Sequence, residues 1–278
     1  MRIDAHQHFW KYSAEEYPWI GAGMERLARN YLPDDLAPLA AAQGIDGTVA
    51  VQARQSLEET RWLLDLAAAG GIVRGVVGWV DLRSTHVLDQ LREFAGRPGF
   101  VGVRHVVQDE PDPRFLLGEA FLHGIGRLAG LGLVYDLLIT APQLPAAVEF
   151  VDRFPEQPFV LDHLAKPAIA AGTLDPWRGD LRALARRPNV TCKLSGMVTE
   201  AAWGRFRRDD FLPFMEVVLE AFSPQRLLFG SDWPVCTLAA EYAEVVGIAD
   251  DFLARLSADE QAAVRGGNAV RVYGLDGG

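Results

Sequence analysis

Eight short apolar runs recur along this chain, separated by helix-like stretches, and that alternation constrains the fold more than any other feature. The runs occupy residues 2–9, 47–53, 73–80, 99–107, 133–139, 158–164, 189–194 and 226–230. They are rich in Val, Leu and Ile and do not alternate strictly with polar residues. Strands buried on both faces of a parallel sheet read this way. Helical patterns lie between them at 87–94, 121–131, 144–154, 211–222 and 241–256. A further helix starts at Ser56-Leu57-Glu58-Glu59, where the spacing predicts a capping box with Glu59 reaching back to the Ser56 amide. The stripe Trp62, Leu63, Leu66 continues it and Gly70-Gly71 stops it. Eight strands alternating with helices predict an α/β fold, a single (β/α)8 barrel over residues 1–278. The competing open, doubly wound sheet would carry a G-x-G-x-x-G turn after its first strand, and none follows here.

Composition narrows the function classes. Lys and Arg number 27 against 37 Asp and Glu, a formal charge of −10 that argues against nucleic acid and against an anionic membrane surface. A small anionic molecule stays possible, because a local cluster overrides the global field. The two cysteines, Cys192 and Cys236, fit neither a disulfide framework nor a zinc motif, and reduced thiols suit a cytoplasmic protein. No apolar leader precedes Ile3-Asp4-Ala5-His6, and no apolar stretch is long enough to span a membrane, so a cytoplasmic location is expected. The long segment from about Trp10 to Asp34 after the first strand is aromatic, and reads as a lid or as packing over the barrel mouth.

Chemistry-bearing residues fall at the ends of the runs, where barrel enzymes place their sites. His6 and His8 are two apart on the first strand, so both imidazoles face the same side. Such a pair binds a metal or donates to a developing oxyanion. His163 ends the sixth run within Leu161-Asp162-His163, and Asp232 follows the eighth within Gly230-Ser231-Asp232-Trp233-Pro234. A carboxylate there is placed to take a proton from water, or else to cap the next turn. Arg104, Asp136 and Lys193 are charged residues inside strand runs. They reach the open end to hold substrate, or pair with one another as structural ions. Strand parity lets Arg104 or His105 face inward, but not both without a bulge. Trp19, Trp233 and Gln52 complete the set of candidate substrate contacts, Trp233 either stacking on a sugar face or plugging the rim.

Five motifs, in this order, resemble the amidohydrolase superfamily in its metal-optional sugar-lactonase branch. They are Ile3-Asp4-Ala5-His6-Gln7-His8-Phe9-Trp10, Gly102-Val103-Arg104-His105, Leu161-Asp162-His163-Leu164-Ala165-Lys166-Pro167, Cys192-Lys193-Leu194-Ser195-Gly196 and Phe229-Gly230-Ser231-Asp232-Trp233-Pro234. The resemblance implies a barrel that opens L-fuconolactone or a closely related aldonolactone, with Asp232 as general base on water. It implies that His6, His8 and His163 surround the water and the carbonyl. It also implies a possible single divalent ion, zinc for instance, on His6, His8 and Asp232, not essential for turnover. Strand five offers Asp136 where many members have a histidine or carbamylated lysine, a departure that argues against a binuclear centre. The competing readings are a lactonase for a dicarboxylate or pyrone-type lactone, which needs at least two cationic anchors among Arg104, Lys193 and Lys166; a metal-dependent amidohydrolase or decarboxylase; and a sugar-binding barrel without catalysis.

Overall fold

The computed structural model describes residues 1–275. The last three residues of the expected 1–278 domain lie outside the described residues. All eight runs form strands, in one sheet whose spatial order follows the sequence: β1 (Ile3–Gln7), β2 (Gly47–Val51), β3 (Val73–Gly78), β4 (Phe100–Val106), β5 (Val134–Leu138), β6 (Phe159–Leu161), β7 (Val190–Leu194) and β8 (Leu227–Phe229). Every neighbouring pair is parallel. The sheet closes into a (β/α)8 barrel beyond the last strand, where the His8 amide donates to the Trp233 carbonyl (2.6 Å) and the Asp232 amide to the His6 carbonyl (2.8 Å). The seam of the barrel is thus made by residues of the site itself.

Eight helices follow the eight strands: α1 (Pro33–Ala42), α2 (Leu57–Ala68), α3 (Val87–Ala95), α4 (Glu119–Ile125), α5 (Leu144–Asp152), α6 (Trp177–Ala185), α7 (Leu212–Phe222) and α8 (Tyr242–Leu253). The sequence pattern missed α1 and α6. Pro38 interrupts the first, and the second is a nine-residue helix carrying Gly179. The helix expected over 121–131 ends at Ile125, with Gly124 and Gly126 at its close, and a 3₁₀ turn covers Ala129–Leu131. A short helix α9 (Asn268–Tyr273) closes the bottom of the barrel with Tyr273 and Leu275.

The barrel interior is layered. Ile3, Ala5, Val49, Val77, Val134, Val160 and Leu228 form its apolar lower part. The register of β1 against β2 shifts between Asp4 and Gln7, so the adjacent residues Ala5 and His6 both reach the interior. Above the apolar layer the interior turns charged, and above that lies the mouth.

The first turn of α2 ties two walls of that mouth together. Ser56 Oγ accepts from the Glu59 amide (3.3 Å), as a cap does, but Glu59 does not reach back to Ser56. Its carboxylate accepts from the Ala53 and Arg54 amides (2.9 Å each) and from the Tyr17 hydroxyl (3.1 Å). The Ser56 amide donates instead to the Arg54 carbonyl. Two otherwise unpartnered amides of a half-buried loop therefore decide where Glu59 points. Burial pushes Glu59 up to about 7 against these donors. Glu59→Ala leaves the buried Tyr17 hydroxyl and the half-buried Ala53 and Arg54 amides without their acceptor and should lower unfolding free energy by about 1–3 kcal/mol, read by urea denaturation. A change below about 0.5 kcal/mol, the scale of a surface substitution, would refute this account.

Candidate active site

A cavity of about 810 Å³ opens at the C-terminal ends of the strands. His8, Arg104, His163 and Asp232 reach it at its floor. The long loop after β1 supplies one wall, including Pro18, Trp19 and Met24. Mutual backbone bonds between Trp10 and Tyr31 (2.9 and 3.0 Å) pin the ends of that loop, and Trp10 packs on Tyr17, Trp19 and Tyr31. It is a packed wall anchored through Tyr17 to Glu59.

Beneath the cavity, charges are arranged about Asp162, which the sequence reading had not singled out. Asp162 lies 3.2 Å from His6 Nδ1, 3.1 Å from Arg104 and 3.0 Å from Lys193. Lys193 also meets Asp136 (2.5 Å), and the Tyr273 hydroxyl donates to both Asp136 oxygens (2.8 and 2.9 Å). Burial raises a carboxylate, and at Asp162 Lys193, His6 and Arg104 overcome it and hold the group well below its ordinary range. Burial dominates at Asp136, which sits at about 6. Two acids and two bases cancel in charge, which is what permits them in a barrel interior. Lys193 and Asp136 therefore take the structural-pair alternative and do not line the cavity. Gln52 lies below it too, its carbonyl and its Oε1 (3.0 Å) both accepting from Arg104.

The other candidates sort by geometry. His105 points out of the barrel, stacked on Phe115 with ring centroids 4.9 Å apart and bonded to Glu110 (2.7 Å). Strand parity gave Arg104 the inward side. Trp233 is buried against Phe9 and Tyr31, where it plugs the rim. Trp19 lines the cavity and is 37% exposed.

His163 does not sit on a strand. β6 ends at Leu161, and His163, Leu164, Ala165 and Lys166 all adopt left-handed backbone, with φ between 50° and 58°. Such conformations disfavour residues with a Cβ by about 1–2 kcal/mol each. The surroundings impose them: Trp177, at the start of α6, donates its indole N–H to the Leu164 carbonyl (2.7 Å), and Leu164 and Ala165 are fully buried. Gly196 makes room for the ring; it has φ 62°, and a Cβ there would stand 2.5 Å from His163 Nδ1. Ser195 Oγ lies 2.9 Å from the same nitrogen. Asp232 also has positive φ, 60°, and its carboxylate does not cap the following turn.

Around Asp232 stand three imidazoles: His8 Nε2 at 3.3 Å, His6 Nε2 at 3.8 Å and His163 Nε2 at 3.9 Å from Oδ1. Burial would raise Asp232, but His163, His8 and His6 reverse that and hold it well below the usual carboxylate range. Burial pushes His6 well below its ordinary value against the pull of Asp162, and His163 from 6.5 down to about 4 against the pull of Asp232. At neutral pH the Asp232 carboxylate is ionised and the His6 and His163 rings are neutral.

His8 Nδ1 faces the Val51 carbonyl (2.8 Å), which only accepts, so this nitrogen carries a proton, and in the neutral ring Nε2 is a lone pair. That lone pair lies 3.3 Å from His6 Nε2 and 3.3 Å from Asp232 Oδ1. Two states of His6 relieve the crowding. With its proton on Nδ1 facing Asp162, His6, His8 and Asp232 present three acceptors whose atoms lie within 4.8 Å of one another. A divalent ion fits that donor set, three protein ligands with a position left open. With its proton on Nε2, His6 donates to His8 and its Nδ1 accepts from Lys193 (3.2 Å), but that N–H then faces the Arg104 guanidinium (3.3 Å) and the Nδ1 lone pair faces Asp162 (3.2 Å), so these neighbours favour the first state.

The depressed value of His163 has a consequence for pH. The unfolded chain binds this proton near 6.5 and the folded chain near 4. Between those values the unfolded state carries more protons, so this residue's contribution to stability falls as pH falls, by about 3 kcal/mol in all. NMR titration of the His163 ring should give a midpoint near 4. A midpoint at 6.5 would contradict its burial in a neutral state.

The Amidohydro_2 family model, described as amidohydrolase, matches residues 3–275. The chain is similar to the L-fucono-1,5-lactonase of Burkholderia multivorans (strain ATCC 17616 / 249), 47% identical over 99% of this chain and 96% of the relative. It is 38% identical, over the same shares, to the L-fucono-1,5-lactonase of Burkholderia ambifaria. A crystal structure of an amidohydrolase from Burkholderia multivorans with bound zinc superposes with a TM-score of 0.95 at 47% identity, covering 99% of this chain and 100% of that one. With the family match spanning almost every residue of the barrel and its site, the chain belongs to the Amidohydro_2 family of amidohydrolases.

Proposed function

We propose that this chain hydrolyses L-fucono-1,5-lactone or a closely related sugar 1,5-lactone to the aldonic acid. The family and the two lactonase relatives make it a hydrolase of a sugar lactone. The observation that carries this reading is the single ionised carboxylate, Asp232, held among the imidazoles of His6, His8 and His163 at the floor of an 810 Å³ cavity. A sugar-binding protein has no use for such a base.

Asp232 accepts a proton from a water as the water oxygen bonds to the lactone carbonyl carbon. The carbonyl electron pair moves to its oxygen, and a neutral His163 donates to that oxyanion. Ser195 stands on the other ring nitrogen: with its hydroxyl donating to Nδ1, the ring proton is on Nε2, the nitrogen that faces Asp232. Arg104, fixed by Asp162 and Gln52, adds positive charge at the same floor. Collapse of the tetrahedral species breaks the ring C–O bond, and the proton on Asp232 passes to the departing ring oxygen. A lactone is an activated ester, so a base and two donors can supply most of what is needed. A divalent ion held by His6, His8 and Asp232 would polarise the carbonyl or acidify water.

The small molecule is the only partner this reading needs. No described helix is long and apolar enough to cross a membrane. Asp232→Asn should lower kcat by about 10²–10⁴ with substrate affinity retained, checked by a pH-indicator assay and by calorimetry. Treatment with a strong chelator should leave kcat within about tenfold of the untreated enzyme; complete loss, restored by zinc, would instead place the chemistry on the metal. Undiminished turnover by Asp232→Asn would remove the residue from its role.

A further inference from the structure

The charges around the mouth follow a pattern that chemistry at the floor does not require. Six carboxylates line the cavity, Glu15, Glu16, Asp109, Glu110, Glu200 and Asp232, against three cations. Each cation already has an acidic partner: Arg54 meets Glu16 at 2.8 Å, Arg104 meets Asp162 at 3.1 Å, and Lys166 stands 3.7 Å from Glu200. Among the described residues, no cation lining this cavity is left to receive a substrate carboxylate. Glu110 is matched only by His105, which burial keeps below its ordinary value and so uncharged near neutrality. Glu15 and Asp109 have no ion-pair partner among the described residues.

From this arrangement we infer that the acidic mouth is a charge filter: it admits neutral lactones, disfavours lactones that carry a carboxylate, and hastens departure of the aldonate product. The inference rests on the lactonase reading and deepens it. Hydrolysis converts a neutral ring into an anion at neutral pH. The substrate therefore feels no net Coulomb force at the mouth, whereas the product is repelled by it. Glu16 and Glu200 have a double part, because each adds a negative charge and neutralises a cation. Removing either exposes Arg54 or Lys166. The same logic disfavours the dicarboxylate and pyrone-type lactones considered from the sequence, which need free cationic anchors.

Glu16→Gln, Glu200→Gln and the double variant test the filter. Each is assayed on L-fucono-1,5-lactone and on a glucaro-lactone, which carries a carboxylate, with L-fuconate as product inhibitor. The double variant should raise the ratio of kcat/KM for the anionic lactone over the neutral one by about tenfold, and tighten L-fuconate inhibition by about as much, as expected for two charges removed within about 8 Å of the ligand. A double variant that turns over the neutral lactone but shifts both quantities less than about twofold, well under that Coulomb estimate, overturns the filter. The wild-type enzyme offers a second test that needs no variant. Raising ionic strength from about 10 mM to about 300 mM screens the mouth and should tighten L-fuconate inhibition; weaker or unchanged inhibition overturns the proposal. Wild-type enzyme that hydrolyses both lactones equally well leaves the lactonase reading standing and removes the filter. Wild-type enzyme that hydrolyses neither removes the lactonase reading, and this inference with it.

Discussion

The rest of the structure depends on a four-charge cluster inside the barrel: Asp162 and Asp136 against Lys193 and Arg104, with His6 on its upper edge. Isolated, each of these ions would carry a desolvation penalty of several kcal/mol. Together they neutralise one another on side chains drawn from β4, β5 and β7 and from the residue just beyond β6. Tyr273 extends the cluster downward to the helix that closes the barrel, and His6 extends it upward to the cavity. One layer therefore joins the folding of the barrel to the placement of its site.

Above that layer the site is built by residues that have just left their strands. His163 and Asp232 both stand in left-handed backbone, which their own side chains do not favour. Buried neighbours supply the constraint: Trp177 and Gly196 for His163, the barrel seam for Asp232. Gly230 belongs to the same constraint, since a Cβ there would lie 2.6 Å from that of His6. Strain of this kind persists where the surrounding fold over-determines it, and here it brings four ionisable groups to one point. Because the Asp232 amide closes the barrel on His6, loss of the seam and loss of the site are one event.

Electrostatics then divides the cavity by depth. At the floor, burial keeps the rings of His6 and His163 neutral, while the surrounding histidines keep Asp232 ionised against burial, which suits water activation. At the mouth, exposed carboxylates outnumber cations whose charge is already spoken for. Neutral ester in and anion out is the traffic such a gradient favours.

The sequence by itself determined the barrel, because eight buried parallel strands must be apolar throughout and no later contact alters that requirement. It also determined that His6, His8, His163 and Asp232 fall at strand ends, and the structure brings all four together. It did not determine the central place of Asp162, which looked like an ordinary neighbour of His163; an acid directly before a strand-end histidine was the only signal. Nor did it separate Arg104 from His105, or assign Lys193 and Asp136 to the interior and Trp233 to the rim. Those outcomes rest on strand parity, on the β1 register shift and on which charges meet across the barrel. The left-handed turn at 163–166 was invisible for the same reason: its four residues contain no glycine, and its conformation is imposed by the buried contacts of Leu164, Ala165 and Trp177. Only the tertiary structure decided these, because each is a relation between residues far apart in the chain, whereas the strands and their ends are local properties of apolar runs.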